Sequence, residues 1–186
     1  MSGINNLRDC KVFINAEKGN QLVAKTVILD YDSERMAITV DGSNFQMKEN
    51  EKVSLLVLHA SSVYEYLGIV RRKDVSGRQE ITLFKGHEKE DRESIRYVVN
   101  VPGKVEGIFI GNMKAALNPP PEILIVNIST SGILMRTMAS TFNVGTSFQF
   151  SMSINSNKTV LTAIITRVNH LGNNEFEYGC SLTGRG

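Results

Sequence analysis

The sequence predicts an all-β protein with two small antiparallel β-domains in tandem. Apolar and polar residues alternate along several segments, whereas the spacing typical of amphipathic helices is scarce. Turn-forming residues interrupt these segments at short intervals. A densely charged segment, residues 85–96, divides the 186-residue chain near its middle into two parts, each the size of a small domain. Many short strands joined by regular turns are typical of β-barrels and β-sandwiches.

Four segments carry the alternation most clearly. In the first half, "RMAITV" (35–40) and "KVSLLVL" (52–58) each place three apolar side chains on one face. In the second half, "SFQFSMSI" (147–154) and "EFEYGCSL" (175–182) each place four apolar side chains on one face. Strands with one buried and one solvated face belong to antiparallel sheets. We therefore predict a strand at each of these segments.

Turns are predicted between the strands from short runs of glycine, proline, asparagine and aspartate. These runs are "DGSN" (41–44), "SG" (76–77), "PG" (102–103), "NPPPE" (118–122) and "GNN" (172–174). Three glycines, Gly103, Gly107 and Gly111, recur every four residues. In a β-rich context they indicate turns and strand kinks and not a phosphate-binding loop.

The domain boundary is predicted within the charged segment. Eight of the twelve residues in 85–96 are charged, and no alternating apolar residue precedes Ile95. Such a segment suits a connector between two domains, one spanning residues 1–90 and the other residues 91–186. The second domain carries eight basic and six acidic residues, so its few positive charges are worth locating.

Composition excludes several classes of function. The formal net charge of +2 is too small to indicate binding to a nucleic-acid polymer or to a membrane surface. No stretch reaches the ~18 apolar residues of a membrane span, and the N-terminus lacks an apolar signal core, so we expect a cytoplasmic protein. Cys10 and Cys180 lie far apart in the sequence, which favours free thiols over a disulfide or a metal site.

Enzyme signatures are also missing from the sequence. His59, His87 and His170 are far apart, and the chain contains neither a GxSxG nucleophile elbow nor a P-loop. Each histidine is interpreted as an exposed or packed polar residue. We therefore expect a protein that is not an enzyme, with no catalytic residues, no metal and no cofactor.

Two features could bind an anionic ligand. One is the pair Arg92 and Arg96, four residues apart in the connector, and the other is the pattern Asn127-x-Ser129-x-x-Gly132 between two apolar segments. Taken alone, the arginines could belong to a solvated linker with ion pairs to nearby glutamates. The second pattern alone could be a β-turn.

In this order and context, the two features resemble the signature of the PilZ domain, a receptor module for cyclic di-GMP (c-di-GMP). "RYVVNV" (96–101) is similar to the family's first strand, and "EILIVNISTSGILMRT" (122–137) to its signature hairpin. "VGTSFQFSMSI" (144–154), "TAIITRVNH" and "FEYGCSL" resemble its later strands. Residues 1–90 resemble the N-terminal barrel of flagellar-brake-type PilZ proteins. The resemblance thus implies two small antiparallel β-barrels in tandem, with the arginines on the connector.

The resemblance also implies a ligand site. Arg92 and Arg96 would bind the phosphates and guanines of c-di-GMP, since a guanidinium can bind phosphate bidentately, pair with guanine or stack on it. Asn127 and Ser129 would donate or accept hydrogen bonds from the barrel surface. Gly132 would let the backbone turn and the ligand approach closely. The family often has aspartate where this chain has Asn127, and an amide keeps the hydrogen-bonding capacity.

The implied function is a c-di-GMP receptor that changes its interdomain arrangement and signals to a protein partner. Flagellar motor or switch proteins and the machinery of polysaccharide synthesis are the candidate partners. The alternative is a PilZ-like protein-interaction scaffold that binds no nucleotide. Asp91, directly before Arg92, disfavours additional phosphate and indicates one ligand per chain. Many relatives carry a C-terminal helix after this barrel, whereas this sequence ends at "SLTGRG" (181–186) without one.

Overall fold

The computed structural model describes residues 6–16, 21–85, 95–138, 142–154 and 157–183. These residues form thirteen β-strands and contain no helix. They divide into two compact units, one with six strands and one with seven. The predicted fold class, all-β with two antiparallel β-barrels, is confirmed. The predicted boundary between residues 90 and 91 falls in residues 86–94, outside the described residues, and it stays a prediction.

The first unit is a closed six-stranded barrel. Its strands are β1 (Lys11–Ala16), β2 (Leu22–Asp32), β3 (Ala37–Asp41), β4 (Lys52–His59), β5 (Ser62–Lys73) and β6 (Arg78–Lys85). Around the barrel the order is β1, β2, β3, β6, β5 and β4. Lys11 of β1 pairs with Val27 of β2 on one side and with Leu58 of β4 on the other, so the ring has no free edge there.

The core of the first barrel follows the predicted alternation. Ile38 and Val40 of β3 are fully buried, as are Leu55 and Val57 of β4. Met36 was predicted at the start of the alternating segment, but it lies in the turn before β3 with a φ of 50° and packs against the core only in part. The period-two pattern therefore locates these strands correctly and starts one of them a residue early.

The second unit is also a closed barrel. Its strands are β7 (Tyr97–Ile110), β8 (Met113–Ala116), β9 (Glu122–Ile128), β10 (Gly132–Thr137), β11 (Ser147–Ile154), β12 (Asn157–Gly172) and β13 (Glu175–Leu182). Six of them follow the ring order β7, β9, β10, β13, β12 and β11, and β11 pairs back onto β7. Short β8 extends the sheet beside the second half of β7. The predicted hairpin at 122–137 and the predicted strands at 147–154 and 175–182 are all present.

One continuous row of side chains fills this barrel beneath the predicted site. Each member is a cross-strand partner of the next, and none is more than 5% exposed. The row consists of Tyr97, Ile128, Ile133, Cys180 and Ile165. Because side chains alternate across a strand, the residues next to this row on each strand point out of the barrel.

The turn predicted at 102–103 is wrong, because Pro102 and Gly103 lie inside β7. Pairing with β11 begins only at Gly103, so the missing N–H of Pro102 interrupts no hydrogen bond to that strand. At Gly103 a Cβ would lie 2.5 Å from the carbonyl oxygen of Ser151 in β11. The glycine is therefore needed where β11 joins the long strand, and not for a turn.

Most other turn predictions are confirmed. The turn at 76–77 joins β5 to β6, and the "NPPPE" segment joins β8 to β9. At the end of β12, Gly172, Asn173 and Asn174 all have positive φ, the conformation that glycine and asparagine tolerate best. Gly111 likewise has positive φ in the turn between β7 and β8.

Both cysteines are free and buried, as the sequence predicted. Burial raises the pKa of the Cys180 thiol to about 12. Burial, with a smaller contribution from the negative charge of Asp9, also raises the pKa of Cys10. Because the thiolate is the reactive form, both sulfur atoms combine low accessibility with a low thiolate fraction at neutral pH.

We predict that neither thiol reacts with a disulfide reagent such as DTNB in the native protein at pH 8. Two equivalents should react once guanidinium unfolds the chain, since unfolding restores both access and the ordinary pKa. A Ser153→Cys variant is the matched control, because Ser153 is exposed on β11 and its thiol should react at once. Rapid reaction of the unsubstituted native chain would contradict the burial of the two cysteines.

Candidate functional site

The Asn-x-Ser-x-x-Gly pattern forms the turn of the hairpin between β9 and β10. Asn127 lies in β9 and pairs with Leu134 of β10, and Ile128 pairs with Ile133. The backbone N–H of Ser129 donates to the carbonyl of Gly132 at 2.8 Å, which closes the turn. The three predicted residues of this pattern therefore lie on one tight hairpin.

Ser129 is engaged in the turn itself. It is 5% exposed, and its hydroxyl oxygen lies 3.2 Å from the backbone N–H of Gly132 and 3.4 Å from that of Ser131. The same hydroxyl can donate to the carbonyl of Gly132 at 3.3 Å. Serine commonly stabilises turns by such local bonds. The hydroxyl thus orders the hairpin, and its predicted contact with a ligand stays a prediction.

Gly132 is required by the neighbouring strand. It is not among the described glycines with positive φ, so the turn does not need its conformational freedom. A Cβ at this position would overlap the backbone carbonyl oxygen of Cys180 in β13. Gly132 pairs with Ser181 across that contact, so its lack of a side chain lets β10 and β13 approach. The close approach expected for a ligand is here made by a strand.

Arg96 lies at the start of the second barrel. It is exposed and directly precedes Tyr97, which is fully buried. Tyr97 pairs with Ile128 and Val98 with Asn127, so the start of β7 runs beside the end of β9. Arg96 is therefore brought next to the hairpin that carries the second pattern. Arg92 and Asp91 lie outside the described residues, and their predicted roles stay predictions.

An outer row of residues continues from Asn127 around the barrel. Its members are cross-strand partners, one on each of five strands, and they lie above the buried row that begins with Tyr97. The outer row consists of Val98, Asn127, Leu134, Gly179 and Arg167. Val98 is 51% exposed and Leu134 is partly exposed. The surface is thus apolar near Asn127, with an arginine in the strand at its far end.

Arg167 is the residue that sequence reasoning missed. It is exposed and pairs with Gly179, but a bulge separates it from Ile165, the preceding residue of β12 with a partner on β13. Because the bulge inserts Thr166, simple alternation assigns Arg167 to the wrong face. Gly179, in the predicted strand "EFEYGCSL", was the available signal, because a glycine in a strand leaves room for a neighbouring side chain.

The charges on this side of the barrel are unevenly paired. Arg136 of β10 is bound by Glu177 of β13, with 3.1 Å between Nη2 and Oε2. Arg96 and Arg167 have no ion pair with any residue that the structure describes. An anion approaching Arg96 or Arg167 would therefore not have to displace a described carboxylate.

No arrangement typical of catalysis is assembled from the described residues. None of their His, Cys, Asp and Glu side chains form a group of three that could hold a metal ion. His170 stacks on Phe176 with ring centroids 4.7 Å apart, and His59 lies edge-on to Tyr64, while His87 is outside the described residues. Both described histidines are packed against aromatic rings, in agreement with their interpretation from sequence.

A depression of about 440 Å³ elsewhere on the second barrel contains a carboxylate. Lys158 binds Glu106 at 2.7 Å, and the hydroxyl of Ser151 donates to the same oxygen at 2.5 Å. The hydrogen bond from Lys158, followed by that from Ser151, lowers the pKa of Glu106 below its ordinary value. A carboxylate held in its ionised form in this way is poorly suited to act as a general acid.

No helix in the described ranges has the length and apolar character needed to cross a bilayer.

No protein-family model matches the sequence, and no curated protein matches it.

Several solved structures are similar to this chain. The Bacillus subtilis inhibitor of motility MotI/DgrA is 12% identical with a TM-score of 0.38, over 98% of this chain and 90% of that one. The K. pneumonia MrkH–c-di-GMP complex is 13% identical with a TM-score of 0.38, over 96% and 80% of the two chains. The Borreliella burgdorferi PlzA protein in complex with c-di-GMP is 10% identical with a TM-score of 0.29, over 95% and 81%. All three TM-scores are below 0.5.

The close approach of β10 to β13 depends on the missing side chain at Gly132. Gly132→Ala should lower the free energy of unfolding by about 1–3 kcal/mol, because the new Cβ must push β13 away from β10. Urea denaturation of the ligand-free protein measures this change. Ser181→Ala is the control, since Ser181 is the exposed partner of Gly132 and its truncation should cost less than about 0.5 kcal/mol. Equal stability of Gly132→Ala and the native chain would show that the strands do not need this space.

Proposed function

We propose that this protein is a c-di-GMP receptor and not an enzyme, and that the outer surface of its second barrel binds the ligand. One observation carries the proposal. Arg96 and Asn127 are 31 residues apart in the sequence, yet pairing of β9 with β7, which Arg96 directly precedes, brings them close together. Arg96 and the hairpin that carries Asn127 therefore lie at one side of the barrel, as a site built from both motifs requires.

The chemistry of these residues suits a cyclic dinucleotide. The ligand carries two phosphates and two guanines, so it needs cations and flat apolar surface together. Arg96 is exposed and unpaired among the described residues, so its planar guanidinium remains available for bidentate phosphate binding. Val98 and Leu134 offer apolar surface on either side of Asn127, against which a purine ring can pack.

Asn127 and Ser129 have different roles in this proposal. Asn127 is partly exposed in the outer row, and its side-chain amide can both donate and accept hydrogen bonds. Ser129 fixes the hairpin that holds Asn127, and it acts on the ligand mainly by positioning. Arg92 would add a second guanidinium from the connector. Ligand binding needs no metal or cofactor in this scheme.

The proposed output is a signal to a protein partner. A ligand held by Arg92 and Arg96 would order the connector, and an ordered connector would fix the arrangement of the two barrels by a shift in population. A cytoplasmic partner from the flagellar motor or from polysaccharide synthesis would respond to that change. The alternative, a scaffold that acts through protein contacts without nucleotide, is an outcome of the binding experiment below.

Calorimetric titration of c-di-GMP tests the receptor proposal. The native chain should bind about one ligand, since Asp91 disfavours a second. Arg96→Ala should weaken binding roughly 10- to 150-fold, because a charged bidentate contact contributes about 1.5–3 kcal/mol. Lys158→Ala is the control, as it also removes one positive charge, and its affinity should stay native. Absence of binding by the native chain would favour the scaffold. Equal binding by Arg96→Ala would exclude the proposed site.

Small-angle scattering tests the switch separately. The free and the c-di-GMP-saturated protein should give different scattering profiles, and the difference should disappear in Arg96→Ala at the same ligand concentration. Superimposable profiles from a protein that binds c-di-GMP in the titration would contradict the switch and leave the receptor proposal intact.

A further inference from the structure

Arg167 occupies an unusual position on the outer row. Its partner on β13 is Gly179, and the position that a Cβ of Gly179 would take lies 2.6 Å from Nε, 2.7 Å from Cγ and 3.1 Å from Cδ of Arg167. The side chain therefore lies flat across β13 through the space that a larger residue would fill. A side chain that crosses β13 from β12 extends towards β10, which is the strand of Leu134.

This direction leads towards the proposed ligand surface. Beyond Gly179, the outer row continues to Leu134 and then to Asn127. Neighbouring strands are about 4.8 Å apart, so β12 and β9 are separated by roughly 14 Å, and an arginine lying across β13 covers part of that distance. A guanidinium that continues beyond Nε in this direction faces the apolar surface around Leu134.

The side chain is also free to bind. Arg167 is exposed, and its side chain makes no hydrogen bond or ion pair with the described residues. The carboxylate nearest to it along β13 is that of Glu177, two residues from Gly179, and this carboxylate is already bound by Arg136. A guanidinium beside a sheet surface, without a carboxylate partner among the described residues, is suited to pair with the edge of a base that lies on the same surface.

Building on the proposed function, we propose that Arg167 recognises a guanine base of c-di-GMP at the end of the outer row remote from Arg96. Guanine presents two acceptors, O6 and N7, that match the fork of an arginine. Adenine presents a donor amino group in place of O6 and would face the guanidinium with like polarity. Arg96 would then serve the phosphates, and Arg167 would make the ligand choice between guanine and adenine.

Titrations with c-di-GMP and c-di-AMP test this assignment. Arg167→Ala should weaken c-di-GMP binding roughly tenfold and leave the weak binding of c-di-AMP unchanged, so the preference for guanine falls by the same factor. Arg167→Lys should behave in the same way, because lysine keeps the charge and loses the fork. Lys158→Ala, on the same strand about 30 Å away, is the charge-matched control and should keep the native preference.

Gly179→Ala provides an independent probe. The added Cβ would displace the Arg167 side chain, although the arginine itself is retained. Gly179→Ala should therefore also reduce the preference for guanine over adenine. The double variant should bind like Arg167→Ala alone, because the two changes act through one side chain. Thermal melting of each variant checks that the barrel remains folded.

The outcomes separate the proposals. Loss of guanine preference in Arg167→Ala and in Gly179→Ala supports the assignment. Native binding by Arg167→Ala, or an equal loss for both ligands, overturns it while the receptor proposal stands. Native preference in Gly179→Ala overturns the placement across β13. Absence of c-di-GMP binding by the native chain overturns the receptor proposal and this assignment with it.

Discussion

The register between the start of β7 and the end of β9 determines the geometry of the candidate site. Tyr97 is fully buried and lies opposite Ile128, which is also fully buried. Because successive side chains point to opposite faces, burial of Tyr97 directs Val98 outward, and burial of Ile128 does the same for Asn127. A shift of one residue in the pairing of β7 with β9 would turn Asn127 towards the core and expose the aromatic ring of Tyr97. The hydrophobic effect on two core residues therefore fixes the orientation of polar residues that contribute little to stability themselves.

Two glycines adapt the barrel wall to its neighbours in different ways. At Gly132 the absent side chain makes room for backbone, because the Cys180 carbonyl occupies the space where a Cβ would be. At Gly179 it makes room for the movable side chain of Arg167. An added methyl at the first position must move a strand, whereas at the second it has only to move an arginine. Substitution should therefore affect stability at Gly132 and binding at Gly179.

The sequence predicts the fold better than it predicts the site. Period-two alternation identifies strands such as β11 because each has one buried and one solvated face. The turn signal fails at Pro102 and Gly103, where a strand that pairs with different neighbours along its length tolerates residues typical of turns. The motif located Asn127 and the hairpin, but the contact of Gly132 depends on pairing with β13, which lies some fifty residues further along the chain. Arg167 was missed because a bulge shifts its register, and no single-sequence pattern reports a bulge directly.

The described arginines on this side of the second barrel differ in whether they form ion pairs. Arg136 and Glu177 lie on neighbouring strands and neutralise each other, which is the usual arrangement for charges on a sheet surface. Arg96 and Arg167 depart from it, since neither has a carboxylate partner among the described residues. Exposed ion pairs contribute little to stability, so their absence at these two arginines costs the fold almost nothing. Their availability does matter to an anionic ligand, which would otherwise have to compete with a carboxylate for each guanidinium. Two arginines that lack a carboxylate partner among the described residues, at the two ends of the outer row, are what the proposed ligand, with its charge and planar rings, would require of this face.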